Sequence, residues 1–215
     1  MSAKIVLNEN TESIIYLCKK DKRLKKVIDL VGEITYELHE DAYVFLIHEI
    51  IEQMLSIKAG AKIFERLVAL CENDISIRTF DTLTDDQIKS VGISSSKVSY
   101  IRALNDAIRC GSLKLADLMN MTDDEVISSL TKVKGIGKWT AKMYLIFVLD
   151  RQNILPIEDV AFLQSYKWMY QTNDVDKTNV NKKCRKWAPY STVASRYLYR
   201  ALDMGYTKKP FASYV

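Results

Sequence analysis

Two tetrapeptides set the frame of this chain: Thr84-Asp85-Asp86-Gln87 and Thr122-Asp123-Asp124-Glu125. A threonine with Gln or Glu three residues on is a capping box, in which side chain and backbone satisfy each other's orphan groups at a helix start. Each box opens a short helix that ends in a glycine turn, Val91-Gly92-Ile93-Ser94 in one copy and Val133-Lys134-Gly135-Ile136-Gly137 in the other. Each turn then feeds a longer helix, 95–109 and 138–149. The apolar pattern elsewhere is helical too. Tyr43, Leu46, Ile47, Ile50, Ile51 and Met54 form one stripe, and Val193, Ala194, Tyr197, Leu198, Ala201 and Leu202 another, with Pro189 in the first turn of that helix and Gly205 near its end. No Asn-Gly or Asp-Gly pair sits between alternating residues, so no β-hairpin is predicted. The fold class is all-α.

At 215 residues, 48 % of them apolar, the chain can bury a substantial core in one domain or two small lobes. The N-terminus carries no secretory pattern, and no run approaches the ~18 apolar residues of a membrane span. Cys18, Cys71, Cys110 and Cys184 are far apart, and His39 and His48 are the only histidines, so neither a disulfide framework nor a zinc site is predicted. These features describe a reduced, intracellular, metal-free protein. The 31 basic residues against 27 acidic ones give +4, weak support alone for a polyanionic partner. Lys132, Lys134, Lys138 and Lys142 gather round the second turn. The run Lys177, Lys182, Lys183, Arg185 and Lys186 reads first as a solvated face.

The second turn carries the chemistry. Gly135 and Gly137 let backbone approach a ligand where a Cβ would intervene, and the following helix start offers free N–H groups and a positive dipole to a phosphate. Lys134 and Lys138 add charge, and Thr140 can hydrogen-bond within the first turn. A little further on, Leu155-Pro156-Ile157-Glu158-Asp159 sets a carboxylate near that clamp. Asp159 is the candidate acid, with Glu158 its nearest competitor and Asp150 a remote one; Asp159 also suits a plain helix cap.

These residues resemble the helix-hairpin-helix/Gly-Pro-Asp superfamily of DNA glycosylases, in particular its 3-methyladenine DNA glycosylase II group. The resemblance runs from about residue 40 to 203: Gln53-Met54-Leu55-Ser56 is similar to the group's Gln-Gln-Leu-Ser segment, Gly92-Ile93-Ser94 with Lys97 to its Gly-Leu-Ser turn, Gly135–Ala141 to its hairpin, and Trp187-Ala188-Pro189-Tyr190 to the start of its closing helix. Ser191 departs from the arginine usual after Pro-Tyr.

The resemblance implies two helical lobes, residues 1–55 with 151–215 and residues 56–150, the second holding the helix-hairpin-helix at about 123–149, with a DNA-binding cleft between them. Asp159 would stabilise the oxocarbenium-like sugar formed as an N-glycosidic bond breaks. Trp139, Met143, Tyr144 and Tyr190 would wall a pocket for the flipped base, with Met143 standing where relatives can have tyrosine. Trp139 can equally be a core aromatic. Gln53, Met54 and Ser56 would join the hairpin in holding DNA; Met54 matches the wedge that fills the gap, although as the end of its stripe it reads first as core. Bifunctional members carry lysine two places after the second glycine; here Trp139 stands there and Lys138 is one step short. The implied activity is therefore monofunctional excision of alkylated purines from double-stranded DNA by a monomer in the cytoplasm (the bacterial nucleoid) or nucleus. No cofactor is implied beyond the option of a monovalent cation at the hairpin. The alternatives are a non-catalytic DNA-binding module and a glycosylase/lyase using Lys138 on another lesion.

Overall fold

Helix starts in this chain are written in Asp, Ser and Thr. The computed structural model describes residues 4–214. The first stretch runs through strand β1 (Ile5–Leu7), helices α1 (Glu12–Lys20) and α2 (Lys22–Val31), and strand β2 (Ile34–Tyr36). A helical run follows: α3 (Ala42–Glu52), α4 (Ile57–Leu70), α5 (Ile77–Thr82), α6 (Asp85–Ser90), α7 (Ser95–Arg109), α8 (Asp123–Thr131) and α9 (Lys138–Phe147). The chain ends in α10 (Val160–Tyr170), α11 (Lys177–Cys184) and α12 (Ser191–Asp203). The side chains of Asp21, Asp41, Ser56, Ser76, Thr84, Ser94, Thr122, Asp159 and Asp176 each accept a backbone N–H from the first turn of the helix they precede. Both capping boxes form in full.

The chain divides into two units: unit 1 takes the first part, to Leu38, and the last, from Asp150, while unit 2 is His39–Leu149. This corrects the expected boundary at residue 55. The apolar face of α3 (Phe45, Leu46, Ile47, Ile50, Ile51) is buried, and α3 packs against α4, α7 and α9, so it belongs with the lobe it was predicted to precede. Among the described residues the helical fold carries one small addition, β1 pairing antiparallel with β2 (Val6 opposite Thr35). Three-residue strands are too short to show alternation in sequence.

In unit 1, α12 packs on α2 and α10, and the core includes Leu17, Leu24, Phe162, Trp187, Tyr197 and Leu198. Asp21 is buried there. Its Oδ1 caps α2, and its Oδ2 accepts from the Tyr170 hydroxyl and from Trp187 Nε1 (2.9 Å) and pairs with Lys186 Nζ (3.0 Å). Burial works to raise the Asp21 pKa, but the bonds from Tyr170, Trp187 and Lys186 together hold it below the ordinary carboxylate value. Pro189 lies before α12, after a cis peptide from Ala188, rather than inside the first turn as expected. Helix α9 stops two residues short of its predicted end, its C-cap being Val148. Cys18, Cys71, Cys110 and Cys184 are free thiols. Among the described residues no helix is long and apolar enough to cross a membrane, and no group of three or more His, Cys, Asp or Glu is placed to hold a metal.

Candidate functional site

The turn between α8 and α9 is shaped by its two glycines in different ways. Gly135 has φ of 92°, in the left-handed region, and a Cβ there would lie 2.1 Å from Cγ of Tyr100 on α7. Glycine is thus demanded twice, by backbone and by packing. Gly137 is ordinary extended backbone (φ −94°, ψ 176°), and a Cβ on it would meet nothing within 4 Å. It precedes α9 without a side-chain cap. The result is an open space beside the first turn of a ten-residue helix, with exposed Lys134 and Lys138 flanking it. Amide donors, a dipole and two cations round an open space are the features with which helix ends hold anions.

A loop of unit 2 is tied to this turn. Helix α3 ends at Glu52, and Gln53 Nε2 donates to the Gly135 carbonyl at 2.8 Å. Lys97, in the first turn of α7, donates from Nζ to the carbonyls of Ile51 and Gln53, both at 2.7 Å. Burial pulls the Lys97 pKa down. Between these ties Met54 adopts φ of 59° and is fully exposed, at 101 % of its reference area. The expectation that Met54 completes the buried α3 stripe is therefore wrong: the helix ends before it, and the left-handed residue turns its side chain to solvent. Ser56 caps α4 through Ala59 N (3.3 Å) and is itself exposed.

In unit 1, Asp159 is 8 % exposed and caps α10, its Oδ1 accepting from Phe162 N at 2.7 Å. The segment leading to it is clamped by α12. Thr192 N donates to the Gln152 carbonyl (3.0 Å), Thr192 Oγ1 accepts from Ile154 N (2.9 Å) and donates to the Arg151 carbonyl, and Ser191 Oγ donates to Asn153 Oδ1 (2.8 Å). Buried Arg196 reaches Asp150 at 3.4 Å and lies 3.7 Å over the Tyr36 ring, while the Tyr36 hydroxyl donates to Asp150. Asp150, the remote competitor for the acid role, is thus committed to this ion pair. Two short turns, Ile157 N to Leu155 O and Asp159 N to Pro156 O, both 3.0 Å, complete the approach to Asp159.

Several predicted residues sit differently from expectation. Thr140 is 1 % exposed, so it faces the interior of unit 2 and not a phosphate. Tyr144 is 1 % exposed with its ring edge-on to Phe45 (6.1 Å), and burial pushes its hydroxyl up to about 12; it is core, not pocket wall. Met143 is buried as well. Both follow from α9 burying Thr140, Ala141 and Met143–Ile146, most of its circumference. Trp139 and Tyr190 stay half-buried, Tyr190 edge-on to Tyr16 at 5.4 Å. Gln53 spends its amide on the hairpin rather than on solvent. The sequence reading missed Tyr100, the α12 clamp of Ser191, Thr192 and Arg196, and the tying role of Lys97. For Lys97 the signal was present, a lysine three residues after a serine cap that matched the family turn.

Residues 47–190 match the HhH-GPD superfamily of base excision DNA repair proteins, and the chain belongs to that family. Its relatives include DNA-3-methyladenine glycosylase 1 of Schizosaccharomyces pombe, 26 % identical over 213 residues and spanning 95 % of this chain and 93 % of the relative. The crystal structure of a DNA-3-methyladenine glycosidase from Bacillus halodurans superposes with a TM-score of 0.84 at 29 % identity, over 96 % of each chain. The S. pombe 3-methyladenine DNA glycosylase in complex with abasic DNA superposes with a TM-score of 0.79 at 26 % identity, over 91 % of this chain and 98 % of that one. DNA is the partner that this family membership gives the chain.

Proposed function

We propose that the protein is a monofunctional DNA glycosylase that removes alkylated purines of the 3-methyladenine and 7-methylguanine type. The observation that carries the reading is Asp159, a buried carboxylate fixed at a helix start by the Phe162 amide, in a chain whose hairpin opens an uncapped helix end to phosphate. Breaking the N-glycosidic bond sends its electron pair to the departing base and leaves positive charge on the sugar. A fixed carboxylate stabilises that charge while water adds at C1′ and loses a proton, leaving an abasic site. An alkylated purine already carries positive charge, so its departure needs little acid assistance. Tyr190, in the unit that holds Asp159, is the aromatic we assign to the flipped base, a cation–π contact of about 1–2 kcal/mol. Met54, held exposed in a strained backbone, is assigned as the wedge.

Trp139 occupies the place of the lysine that forms a Schiff base, which supports hydrolysis over lyase chemistry. The reaction drawn here uses no cofactor. A monovalent cation at the hairpin would be held by backbone carbonyls, of which that of Gly135 is already engaged by Gln53. We assign the working form as a monomer on damaged duplex DNA, wherever the cell keeps its DNA.

The test is release of free purines from methylated duplex DNA by wild type and by Asp159→Asn. Asparagine keeps the helix cap, so the variant separates chemistry from folding. Wild type is expected to release 3-methyladenine or 7-methylguanine, with the variant slower by about 100-fold or more. Equal DNA binding with no release by either protein, on methylated, deaminated and oxidised substrates alike, would establish a binding module instead. Borohydride trapping of a covalent complex through Lys138 would establish a lyase.

A further inference from the structure

The basic run 177–186 resolves into two faces. Lys183 Nζ lies 4.3 Å over the Tyr170 ring and Lys186 pairs with buried Asp21, so this pair, three residues apart, serves the core of unit 1. Lys182 and Arg185, also three apart, make no ion pair or side-chain hydrogen bond among the described residues. Both line a cavity of about 420 Å³ together with Asn153, Asn181, Leu155 and Ser191. No acidic residue lines it. The Ser191 hydroxyl occupies Asn153 Oδ1, which leaves the Asn153 amide N–H groups as the part offered to a ligand. An ammonium, a guanidinium and two amides without an opposing carboxylate select a tetrahedral oxyanion.

We propose that this cavity binds a phosphodiester of the DNA strand that carries the base being excised, as a phosphate contact separate from the hairpin. Identifying the anion as DNA rests on the glycosylase reading above. Leu155, on the cavity wall, is four residues before Asp159, and the turns Ile157 N to Leu155 O and Asp159 N to Pro156 O hold the intervening segment. Four residues span at most about 14 Å, the length of about four nucleotides at ~3.4 Å each. A strand whose sugar faces Asp159 therefore brings phosphates within reach of Lys182 and Arg185. The sequence signal was the i, i+3 spacing inside the run, which separates Lys182 and Arg185 from Lys183 and Lys186.

The experiment compares wild type, the double variant Lys182→Ala/Arg185→Ala, and Lys177→Ala, which removes a charge from the same helix outside the cavity. Affinity for a duplex carrying a stable abasic-site analogue is measured against salt concentration, and base release is followed in parallel. The double variant should bind about tenfold more weakly at physiological salt, with its log–log salt slope smaller by ~0.9 per phosphate lost, and a raised KM at unchanged kcat. Lys177→Ala should leave affinity and slope within twofold. Unchanged affinity in the double variant, or an equal loss in Lys177→Ala, would overturn the proposal. Titration with inorganic phosphate, read by thermal melting, separates the sources. Stabilisation abolished by the double variant, together with undiminished DNA affinity, would mean a free anion and would overturn the DNA assignment. If wild type binds the duplex but releases no base, the glycosylase reading fails while the affinity and salt arms still decide the site.

Discussion

The turns at 91–94 and 133–137 are built alike and end differently. Each follows a capping-box helix, each carries a glycine with positive φ (103° at Gly92, 92° at Gly135), and each buries the next isoleucine, Ile93 and Ile136. They part at one residue. Ser94 turns its hydroxyl onto Lys97 N (3.4 Å) and closes the start of α7 with its own side chain; Gly137 leaves the start of α9 without a side-chain cap and with empty space beside it. Gly-Ile-Ser is a joint, and Gly-Ile-Gly is a joint that leaves a helix end open. The presence of the motif thus says less than the residue that ends it.

The strongest way to break the comparison is at the shared glycine. Gly135→Ala forces a Cβ into the Tyr100 ring as well as into a left-handed backbone, and should cost about 3 kcal/mol of stability in urea unfolding. Gly92→Ala meets side chains no closer than Ile63 at 3.3 Å and should cost about 1–2 kcal/mol; equal costs would mean that Tyr100 yields freely. The sharper test is Gly137→Ser, which gives α9 the cap of α7. Stability should hold or rise by a few tenths of a kcal/mol, while affinity for duplex DNA falls about tenfold, because a hydroxyl now takes the amide meant for phosphate. Undiminished affinity would show that the open helix end is not the grip. The reverse change, Ser94→Gly, should cost only a few tenths of a kcal/mol and leave DNA affinity unchanged, since no lysine pair flanks that turn.

What could be read in the sequence was local. A capping box is complete within four residues, and both formed as written. The glycine turn and the aspartate cap at Asp159 are likewise short-range patterns. What could not be read depends on distant partners. The α3 stripe runs on to Met54 by periodicity, yet the helix ends at Glu52, with the carbonyls of Ile51 and of the capping Gln53 taken by Lys97 from 46 and 44 residues away. Thr140 has the right position after the hairpin to touch a phosphate, but helix geometry turns it inward. The need for glycine at 135 is half explained by its φ; the other half, Tyr100, lies 35 residues upstream in sequence. The unit boundary was misplaced for the same reason, because the partners of α3 are known only once the chain has folded.

The ties around Gln53 have a consequence for how a strand would be searched. Gln53 joins the hairpin by its amide and α7 by its carbonyl, and Met54 is the very next residue. The offset between the open end of α9 and the exposed methionine is therefore set by bond lengths within one unit, not by a slack loop. In the glycosylase reading this makes unit 2 a ruler: wherever the hairpin seats on a phosphate, Met54 probes the stack at one fixed number of steps from it. The position to be inspected is then chosen by the backbone before any base is read.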